Sequence, residues 1–395
     1  MKVLILNNDF RVYWKGRLIY LQSFLSSQNI SFYAVELFGN GSPYSFDTYD
    51  NNESWWTCLF PENSSDELSK QDIEKAIFTQ LDKINPDIII ASSIVFYAGA
   101  LGIRWAKKHK KKFVMFDDAR HLQFKRQFLI QWVKDLITKQ SDGFWFPSKN
   151  YYADYAYFHH KGIHFFYGFN CIDNKLFKFE GKKQSHHKII ICVARLVPIK
   201  NIDNLLRSWQ LIEKNNTDYK LVIIGDGPEH DHLNQLRSDL NLNTVEFIGA
   251  IDNEVIPEYY FNAGAFILPS LSESWGLVVN EAMAAGLPVL LSYEVNAAKD
   301  LLKEGVNGFG FAPLDVNGMA EAISKYIRSD IQTKESMSNN SLEIINSMSY
   351  ENMGSQLFDA LISIKQQKNK LPGLLASLVI NLWYGRYNKS GWDKL

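Results

Sequence analysis

Short runs of apolar, β-favouring residues alternate with helix-period patterns along most of the chain. In the first half the runs cover residues 3–6, 32–37, 87–91, 113–116, 144–146 and 164–167. Amphipathic helical patterns lie between most of them, as at residues 16–26 and 67–84. This alternation predicts an α/β protein with a parallel, doubly wound sheet. The stretch 38–65 is rich in Gly, Asn, Ser and aromatic residues, and we interpret it as a long surface insertion or binding loop.

A polar break at residues 180–187 divides the chain into two halves. The second half repeats the strand–helix alternation to about residue 327, and a further helical pattern follows from residue 350. A cluster of polar residues between periodic segments is typical of a linker. We therefore predict one α/β domain at 1–179, a linker at 180–187, a second domain at 188–349, a helix within 350–370 and an amphipathic tail at 371–395.

Bulk composition narrows the class of protein. Apolar residues make up 46% of the 395 residues and charged residues 22%, which favours folded domains over disorder. The net charge of -1 argues against a general nucleic-acid binder. Three scattered cysteines suggest neither a disulfide framework nor a metal site, so a reducing compartment is favoured. The apolar run at the N-terminus is too short for a signal peptide, and none reaches the roughly 20 residues of a membrane span. We expect a cytoplasmic location.

Two carboxylates separated by seven residues are the most informative local feature. Glu273 follows the apolar run 265–270, and Glu281 precedes a Gly286-Leu-Pro288 helix stop. Gly276 is expected to open the helix, so that Glu273 lies in the preceding turn and Glu281 in the second helical turn. Free N–H groups at a helix start can hold a phosphate. One acid on each side suits a sugar, a phosphate and a nucleoside held end to end.

Three other strand ends carry candidate ligand-binding residues. Arg195 and Lys200 flank a turn between the apolar run 189–193 and the next helical pattern. Two cations there can neutralise a diphosphate, Arg as a fork and Lys as a point charge. Two further short strands end in glycine turns, at Gly225-Asp-Gly-Pro228 and at Gly249. In a parallel sheet these segments lie at the same edge, where ligands bind.

Taken in order, these segments resemble the C-terminal half of family 4 glycosyltransferases, the group 1 glycosyl transferases. The resemblance rests on Ala-Arg-Leu-x-x-x-Lys from residue 194, Gly-Asp-Gly-Pro from 225, Val-x-Phe-x-Gly from 245 and Pro-Ser-x-x-Glu-x-x-Gly-x-x-x-x-Glu-Ala-Met-Ala-x-Gly-x-Pro from 269. It covers residues 188–300 and continues more weakly upstream. It implies the GT-B fold, in which an N-terminal acceptor-binding domain and a C-terminal nucleotide-sugar-binding domain, both Rossmann-like, face each other across a cleft. It also implies that the helix at 350–370 packs back on the N-terminal domain. It also implies sugar transfer from a nucleoside diphosphate sugar, linked to UDP or GDP, to an acceptor hydroxyl with retention.

The resemblance also implies roles for individual residues. Glu281 is expected to bind the ribose hydroxyls, Glu273 the donor sugar, and Arg195 with Lys200 the diphosphate. Ala194 and Asn201 stand where glycine is common in the family, which leaves the geometry of that loop open. No metal and no other cofactor is expected. Other donor-side positions are the turns at Gly225 and Gly249 and the helix start at Ser274, Trp275, Gly276 and Leu277.

The first half carries a weaker signal. Only Gly16 stands where the family has a paired-glycine turn, and we expect it to let the backbone approach the donor phosphate. His121, after the run 113–116, is the candidate active-site histidine. Asp117 and Asp118 compete for that role, although such acids also cap helices. An adjacent aspartate pair also occurs in metal sites, but in a different fold context.

Partners and alternatives complete the expectations. The acceptor is expected to be a glycan or a lipid-linked molecule of cell-surface polysaccharide or glycolipid synthesis, as in bacteria. The segment 374–384 is amphipathic and too short to span a bilayer, so it either docks on the protein or lies in a membrane interface. Peripheral membrane contact is therefore possible. A nucleotide-sugar 2-epimerase of the same fold and a catalytically silent scaffold remain alternatives, although the Arg195, Lys200, Glu273 and Glu281 set argues against the scaffold.

Overall fold

The computed structural model describes residues 1–10, 13–40, 53–120, 127–178, 187–214 and 218–385. The chain forms two compact units. Of the described residues, the first consists of those within 1–170 and 350–385, and the second of those within 171–349. Each unit is built on its own parallel sheet, so the expected α/β class with two doubly wound domains is confirmed.

The first unit has a parallel sheet of seven strands in the order β3-β2-β1-β4-β5-β6-β7. The strand order reverses between β1 and β4, which is the topological switch point of a doubly wound sheet. The central strands are buried on both faces, which explains why they read as continuous apolar runs. The strands are β1 (Lys2–Asn7), β2 (Ser31–Phe38), β3 (Trp56–Phe60), β4 (Ile88–Ser92), β5 (Lys112–Phe116), β6 (Gly143–Phe146) and β7 (His164–Tyr167).

Among the described residues, five helices connect these strands. One of them begins after the side-chain cap Ser69, whose hydroxyl accepts a hydrogen bond of 3.1 Å from the Asp72 N–H. The helices are α1 (Tyr13–Ser27), α2 (Lys70–Ile84), α3 (Tyr97–Lys108), α4 (Phe128–Thr138) and α5 (Tyr152–His159).

One element of the first unit corrects the sequence interpretation. Within the stretch 38–65, taken above as a loop, Trp56–Phe60 forms the edge strand β3 and pairs with β2. Trp56 is buried, and its Nε1 donates a hydrogen bond of 2.7 Å to Glu36 on β2. The sequence pattern did not indicate this strand, because it is short and the residues before and after it are rich in Gly, Asn and Ser. Residues 41–52 of the same stretch lie outside the described residues.

The second unit has a parallel sheet of six strands in the order β10-β9-β8-β11-β12-β13. Its switch point lies between β8 and β11. The strands are β8 (Ile189–Val193), β9 (Lys220–Ile224), β10 (Val245–Gly249), β11 (Ala265–Leu268), β12 (Val289–Ser292) and β13 (Gly308–Phe311). The helices are α6 (Ile202–Glu213), α7 (His230–Asp239), α8 (Ile256–Phe261), α9 (Leu277–Ala284), α10 (Ala298–Leu301), α11 (Val316–Arg328) and α12 (Ile331–Asn346).

Two helices complete the first unit, α13 (Tyr350–Gln366) and α14 (Leu374–Leu382). α13 packs on β7 and α1, and α14 packs on α3 and α4. Among the described residues, no helix combines the length and apolar character that crossing a bilayer requires.

The second unit begins at Cys171, earlier in the chain than the sequence suggested. The Asn174 side-chain amide donates hydrogen bonds to the carbonyls of Ile345 (3.3 Å) and Met348 (3.2 Å), and the Phe177 ring packs on Tyr260. These contacts attach residues 171–178 to the second unit, at α8 and at the end of α12. Of the predicted linker 180–187, only His187 lies within the described residues.

Candidate active site

The start of α9 lies just after β11, at the switch point of the second sheet. Gly276 precedes the helix with φ +98°, a left-handed conformation that L side chains rarely adopt. A Cβ at Gly276 would also lie 3.2 Å from the Val295 side chain. The first N–H groups of an α-helix have no acceptor within the helix, so this start can bind an anion. The helix ends at Ala284, and Gly286 follows with φ +71°, in agreement with the predicted helix stop.

Glu273 lies in the turn that precedes this helix start. Its carboxylate oxygen Oε1 forms an ion pair with Lys200 Nζ and accepts a hydrogen bond of 2.9 Å from the Ser270 hydroxyl. The Leu271 N–H donates to the Ile199 carbonyl at 2.8 Å, which joins the two loops. The structure therefore brings together the cation after β8 and the carboxylate after β11.

The loop after β8 is shaped by Asn201, which occupies the left-handed conformation with φ +58°. Its side-chain amide donates to the carbonyls of Pro269 (3.0 Å) and Pro313 (2.7 Å). Asparagine tolerates this backbone conformation better than most residues. Asn201 thus has a backbone conformation that glycine also adopts readily, and its side chain ties the Lys200 loop to the end of β11.

Arg195 lies on the same loop, directly after β8, and is exposed. Gly225, in the turn after β9, lets that turn lie close to the Arg195 loop. Its φ is +134°, and a Cβ added there would lie 1.9 Å from the Ala194 carbonyl oxygen. The Gly225 N–H in turn donates to the Gly249 carbonyl at 2.9 Å. The glycine turns after β9 and β10 therefore lie beside the Arg195 loop at one edge of the sheet.

Glu281 lies in the second turn of α9, as expected, but it is buried. The Tyr260 hydroxyl on α8 donates a hydrogen bond of 3.0 Å to Glu281 Oε2. Tyr260 is itself fully buried. The sequence analysis missed Tyr260, because nothing in the spacing of the two helices indicates that they meet.

The residues at the start of α9 differ in what they can offer a ligand. The Trp275 ring is buried and its Nε1 donates to Asn280 at 2.9 Å, so only the backbone of Trp275 can face a ligand. Ser274 is exposed and Leu277 is half-buried. The Asn296 amide donates to the Ser274 carbonyl at 3.0 Å, which fixes this turn.

Comparison with solved structures identifies the fold. Sucrose-phosphate synthase from Thermosynechococcus elongatus superposes with a TM-score of 0.73 over 92% of this chain and 100% of that one, at 17% identity. The Anabaena protein HepE, in complex with UDP-glucose, superposes with a TM-score of 0.67 over 92% and 100% of the two chains, also at 17% identity. Both are similar across both units.

The chain has the GT-B fold.

Sequence comparison agrees for the second unit of this GT-B chain. Residues 173–343 match the model of the family "Glycosyl transferases group 1". An uncharacterised glycosyltransferase of Methanocaldococcus jannaschii is 31% identical over 176 residues, which cover 44% of this chain and 44% of that protein. The matched segment thus spans less than half the length of this curated relative.

In the first unit of the GT-B fold, Gly16 lies inside α1 and faces Tyr350 on α13. A Cβ at Gly16 would lie 2.4 Å from the Tyr350 hydroxyl oxygen. Close packing of the two helices therefore accounts for this glycine without a ligand, and its expected role at a donor phosphate stays a prediction.

His121, the candidate histidine, lies outside the described residues. Its two competitors follow β5 and differ in environment. Asp117 accepts a hydrogen bond of 2.9 Å from the Ala119 N–H, which lies in the loop after β5 and not at a helix start. Burial raises the pKa of Asp118 to about 6, and the Asp117 charge adds to the rise. A hydrogen bond with Asn170 and the charge of Arg17 act in the opposite direction on this pKa.

Proposed function

We propose that this GT-B chain is a glycosyltransferase that moves a sugar from a nucleoside diphosphate sugar to an acceptor hydroxyl. The proposal includes retention at the anomeric carbon, a UDP- or GDP-linked donor and no catalytic metal or other cofactor. The observation that carries it is the contact of Lys200 with Glu273 beside the start of α9, at the switch point of the second sheet. The family match over residues 173–343 and the likeness to HepE with UDP-glucose support it.

The donor would lie along the start of α9. Its diphosphate would accept hydrogen bonds from the first N–H groups of the helix and face the positive charges of Arg195 and Lys200. Glu281, whose carboxylate accepts a hydrogen bond from the Tyr260 hydroxyl, would also accept hydrogen bonds from the ribose hydroxyls. Glu273 would bind hydroxyls of the sugar on the other side of the phosphates. The donor would thus lie with its ribose at Glu281, its diphosphate at the helix start and its sugar at Glu273, which is the end-to-end arrangement that the spacing of the two carboxylates predicts.

The reaction places negative charge on the leaving diphosphate while the anomeric carbon becomes cationic. Groups fixed in advance at the point where charge develops stabilise a transition state most effectively. Lys200 meets this requirement because Glu273 and the loop contact between Leu271 and Ile199 fix its position. In the proposed retaining path the departing phosphate takes the proton of the acceptor hydroxyl on the same face of the sugar. Glu273, already engaged with Lys200 and Ser270, then positions the sugar and is not a covalent nucleophile.

The first unit would bind the acceptor, which we infer to be a glycan or a lipid-linked molecule of cell-surface polysaccharide or glycolipid synthesis. We propose that the reaction takes place in the cytoplasm. His121 remains the proposed active-site histidine, and the expected roles of Gly225, Gly249, Ser274, Trp275, Gly276 and Leu277 on the donor side remain part of this proposal.

The experiment that tests the proposal measures the thermal midpoint of the purified protein with UDP, GDP, ADP and their sugars, with EDTA present. A ligand that binds only the folded state raises the midpoint. A rise with one nucleotide family, lost in Glu281→Gln and kept in the surface variant Glu246→Gln, supports the site and identifies the base. No rise at millimolar ligand would contradict the proposal. Product formed from the donor alone would indicate the epimerase, and nucleotide binding without turnover of any acceptor would indicate the silent scaffold.

A further inference from the structure

The helix α14 is mostly apolar, with the sequence Leu-Leu-Ala-Ser-Leu-Val-Ile-Asn-Leu, in which Ser377 and Asn381 are the two polar residues. One side is attached to the first unit, because Ala376 and Ile380 are buried and Arg104 donates hydrogen bonds to the carbonyls of Ile380 (3.1 Å) and Trp383 (2.6 Å). The Trp383 ring Nε1 also donates to the Ile94 carbonyl at 2.7 Å. α14 is therefore a fixed part of the first unit.

The other side of α14 is exposed and made of leucines. Leu374 is 95% exposed, and Leu375 and Leu378 are exposed as well. Exposed leucines that lie together on one helix form an apolar surface of the kind that marks an interaction site, so this side of α14 favours an apolar partner.

The neighbouring helix α4 has the same character. α4 packs against α14, and it also exposes Phe128 (80%), Leu129 (72%) and Trp132. We call these six side chains on the two helices the apolar patch: Phe128, Leu129, Trp132, Leu374, Leu375 and Leu378. It is a feature of the first unit alone.

A run of lysines borders the apolar patch where the chain enters α14. The Lys112 ammonium group donates hydrogen bonds to the carbonyls of Gln367 (2.8 Å) and Lys368 (2.9 Å), and the Asn369 amide donates to the Lys110 carbonyl at 2.9 Å. Residues 107–112 therefore lie against residues 367–370, directly before the helix. Both stretches are rich in lysine.

Part of this positive charge lies at the surface. Asp142 is buried and pairs with Lys107 at 2.8 Å and with Lys112 at 3.5 Å. Lys108, Lys110 and Lys368 are exposed at the surface. We call these three residues the basic border.

We propose that the apolar patch inserts into the surface of a membrane that contains anionic lipids, with the basic border on the lipid headgroups. Leucines with a Phe and a Trp suit the acyl boundary of a bilayer, and lysines beside them suit negative headgroups. The basic border favours a membrane over a second copy of the chain, because anionic headgroups neutralise its lysines, whereas a second copy carries the same lysines.

This proposal does not depend on the proposed function, because membrane binding is measured without a donor or an acceptor. The test is flotation of the full chain with phosphatidylcholine vesicles and with vesicles in which about a third of the lipid is phosphatidylglycerol. We expect flotation with the anionic vesicles, weakened by high salt because salt screens the attraction of the lysines.

Two variants separate the two parts of the surface, and each has a matched control in the second unit. Leu374→Glu with Leu378→Glu should lower the membrane partition coefficient by about tenfold or more, because two large apolar groups leave the interface. Leu211→Glu with Ile331→Glu alters exposed apolar residues elsewhere and should have no effect. Replacing Lys108, Lys110 and Lys368 by Gln should remove the preference for anionic vesicles, whereas replacing the exposed Lys299, Lys303 and Lys325 should not.

Circular dichroism and thermal midpoints verify that all variants are folded, which the exposure of the altered side chains leads us to expect. No flotation of the full chain would overturn the proposal. So would equal flotation of the Leu374→Glu/Leu378→Glu variant and its control. Sedimentation that shows a dimer dissociated by the same two substitutions, without lipid binding, would instead assign the apolar patch to a second copy of the chain.

Discussion

The Tyr260 hydroxyl donates a hydrogen bond of 3.0 Å to Oε2 of Glu281, and both side chains are buried in the second unit. A buried carboxylate requires hydrogen-bond partners to offset the loss of water. The Tyr260 ring is held in turn by Phe177 and Phe266. Tyr260 is therefore placed to fix the orientation of Glu281, the residue proposed to bind the ribose.

The first prediction concerns this positioning. Tyr260→Phe should raise the Kd of the nucleotide by about fivefold or more, since a hydrogen bond to a charged group contributes about 1.5–3 kcal/mol. Isothermal titration with UDP and GDP measures this effect. Turnover at saturating donor should change much less, because the hydroxyl does not touch the reacting atoms.

A second buried tyrosine of the same unit provides the control. The Tyr326 hydroxyl donates to the Gly264 carbonyl at 2.7 Å and has no proposed role in nucleotide binding. Tyr326→Phe should lower stability and leave the nucleotide Kd unchanged. Equal weakening of nucleotide binding in both variants would show that Tyr260 acts only through stability.

Much of the fold follows from the sequence, because parallel strands buried on both faces produce continuous apolar runs. The strands β8, β9 and β11 were located from such runs, and each is followed by the turn that carries candidate residues. The start of α9 followed from Gly276, since a left-handed residue before a helix favours glycine. The sequence predicts an element correctly where a single residue type is needed for a particular backbone conformation, as glycine is at the start of α9.

The rest depends on contacts between segments that are distant in the chain. The edge strand β3 is stabilised by pairing with β2, which its own composition does not indicate. The geometry of the loop at Asn201 does not follow from the residue type alone, because it depends on the two distant carbonyls to which the Asn201 amide donates. Tyr260 contacts Glu281 because the fold brings a side chain of α8 to one of α9, although β11 separates the two helices in the chain.

The second prediction concerns the two cations proposed to stabilise the leaving diphosphate. Arg195→Ala and Lys200→Ala should each lower turnover by at least about tenfold, which corresponds to about 1.4 kcal/mol of transition-state stabilisation. The steady-state rate at which the nucleoside diphosphate is released measures this turnover. Lys220→Ala, which removes an exposed lysine paired with Glu246, is the matched control and should keep normal turnover. Rates near the wild-type value in both site variants would refute the assignment.

The third prediction uses the left-handed backbone of Asn201. Asn201→Gly keeps this conformation at little cost but loses the hydrogen bonds to Pro269 and Pro313, so it should destabilise the protein by about 1–3 kcal/mol. Asn201→Ala loses the same bonds and also adopts an unfavourable left-handed conformation, at a further cost of about 1–2 kcal/mol. Urea unfolding of the two variants measures the difference. Equal stability of the Gly and Ala variants would show that the backbone conformation is not the reason for the asparagine.

The fourth prediction follows from the raised pKa of Asp118. Burial raises this pKa from 3.8 to about 6, so between these pH values the folded state binds more protons than the unfolded chain. The free energy of unfolding should therefore fall as the pH rises from about 4 to above 6, by at most about 3 kcal/mol for a shift of this size. Above pH 6 the charged carboxylate is destabilising, and below pH 4 its effect disappears.

Asp118→Asn removes the titrating group and should flatten this part of the pH profile, making the variant more stable than the parent at pH 7. Asp252→Asn, which alters an exposed carboxyl group in the second unit, should leave the profile unchanged. Urea unfolding at pH values from 4 to 8 gives both profiles. A parent protein whose stability instead rises between pH 4 and 6, with the same slope in Asp118→Asn, would mean that Asp118 ionises normally and that other carboxylates determine the acid response.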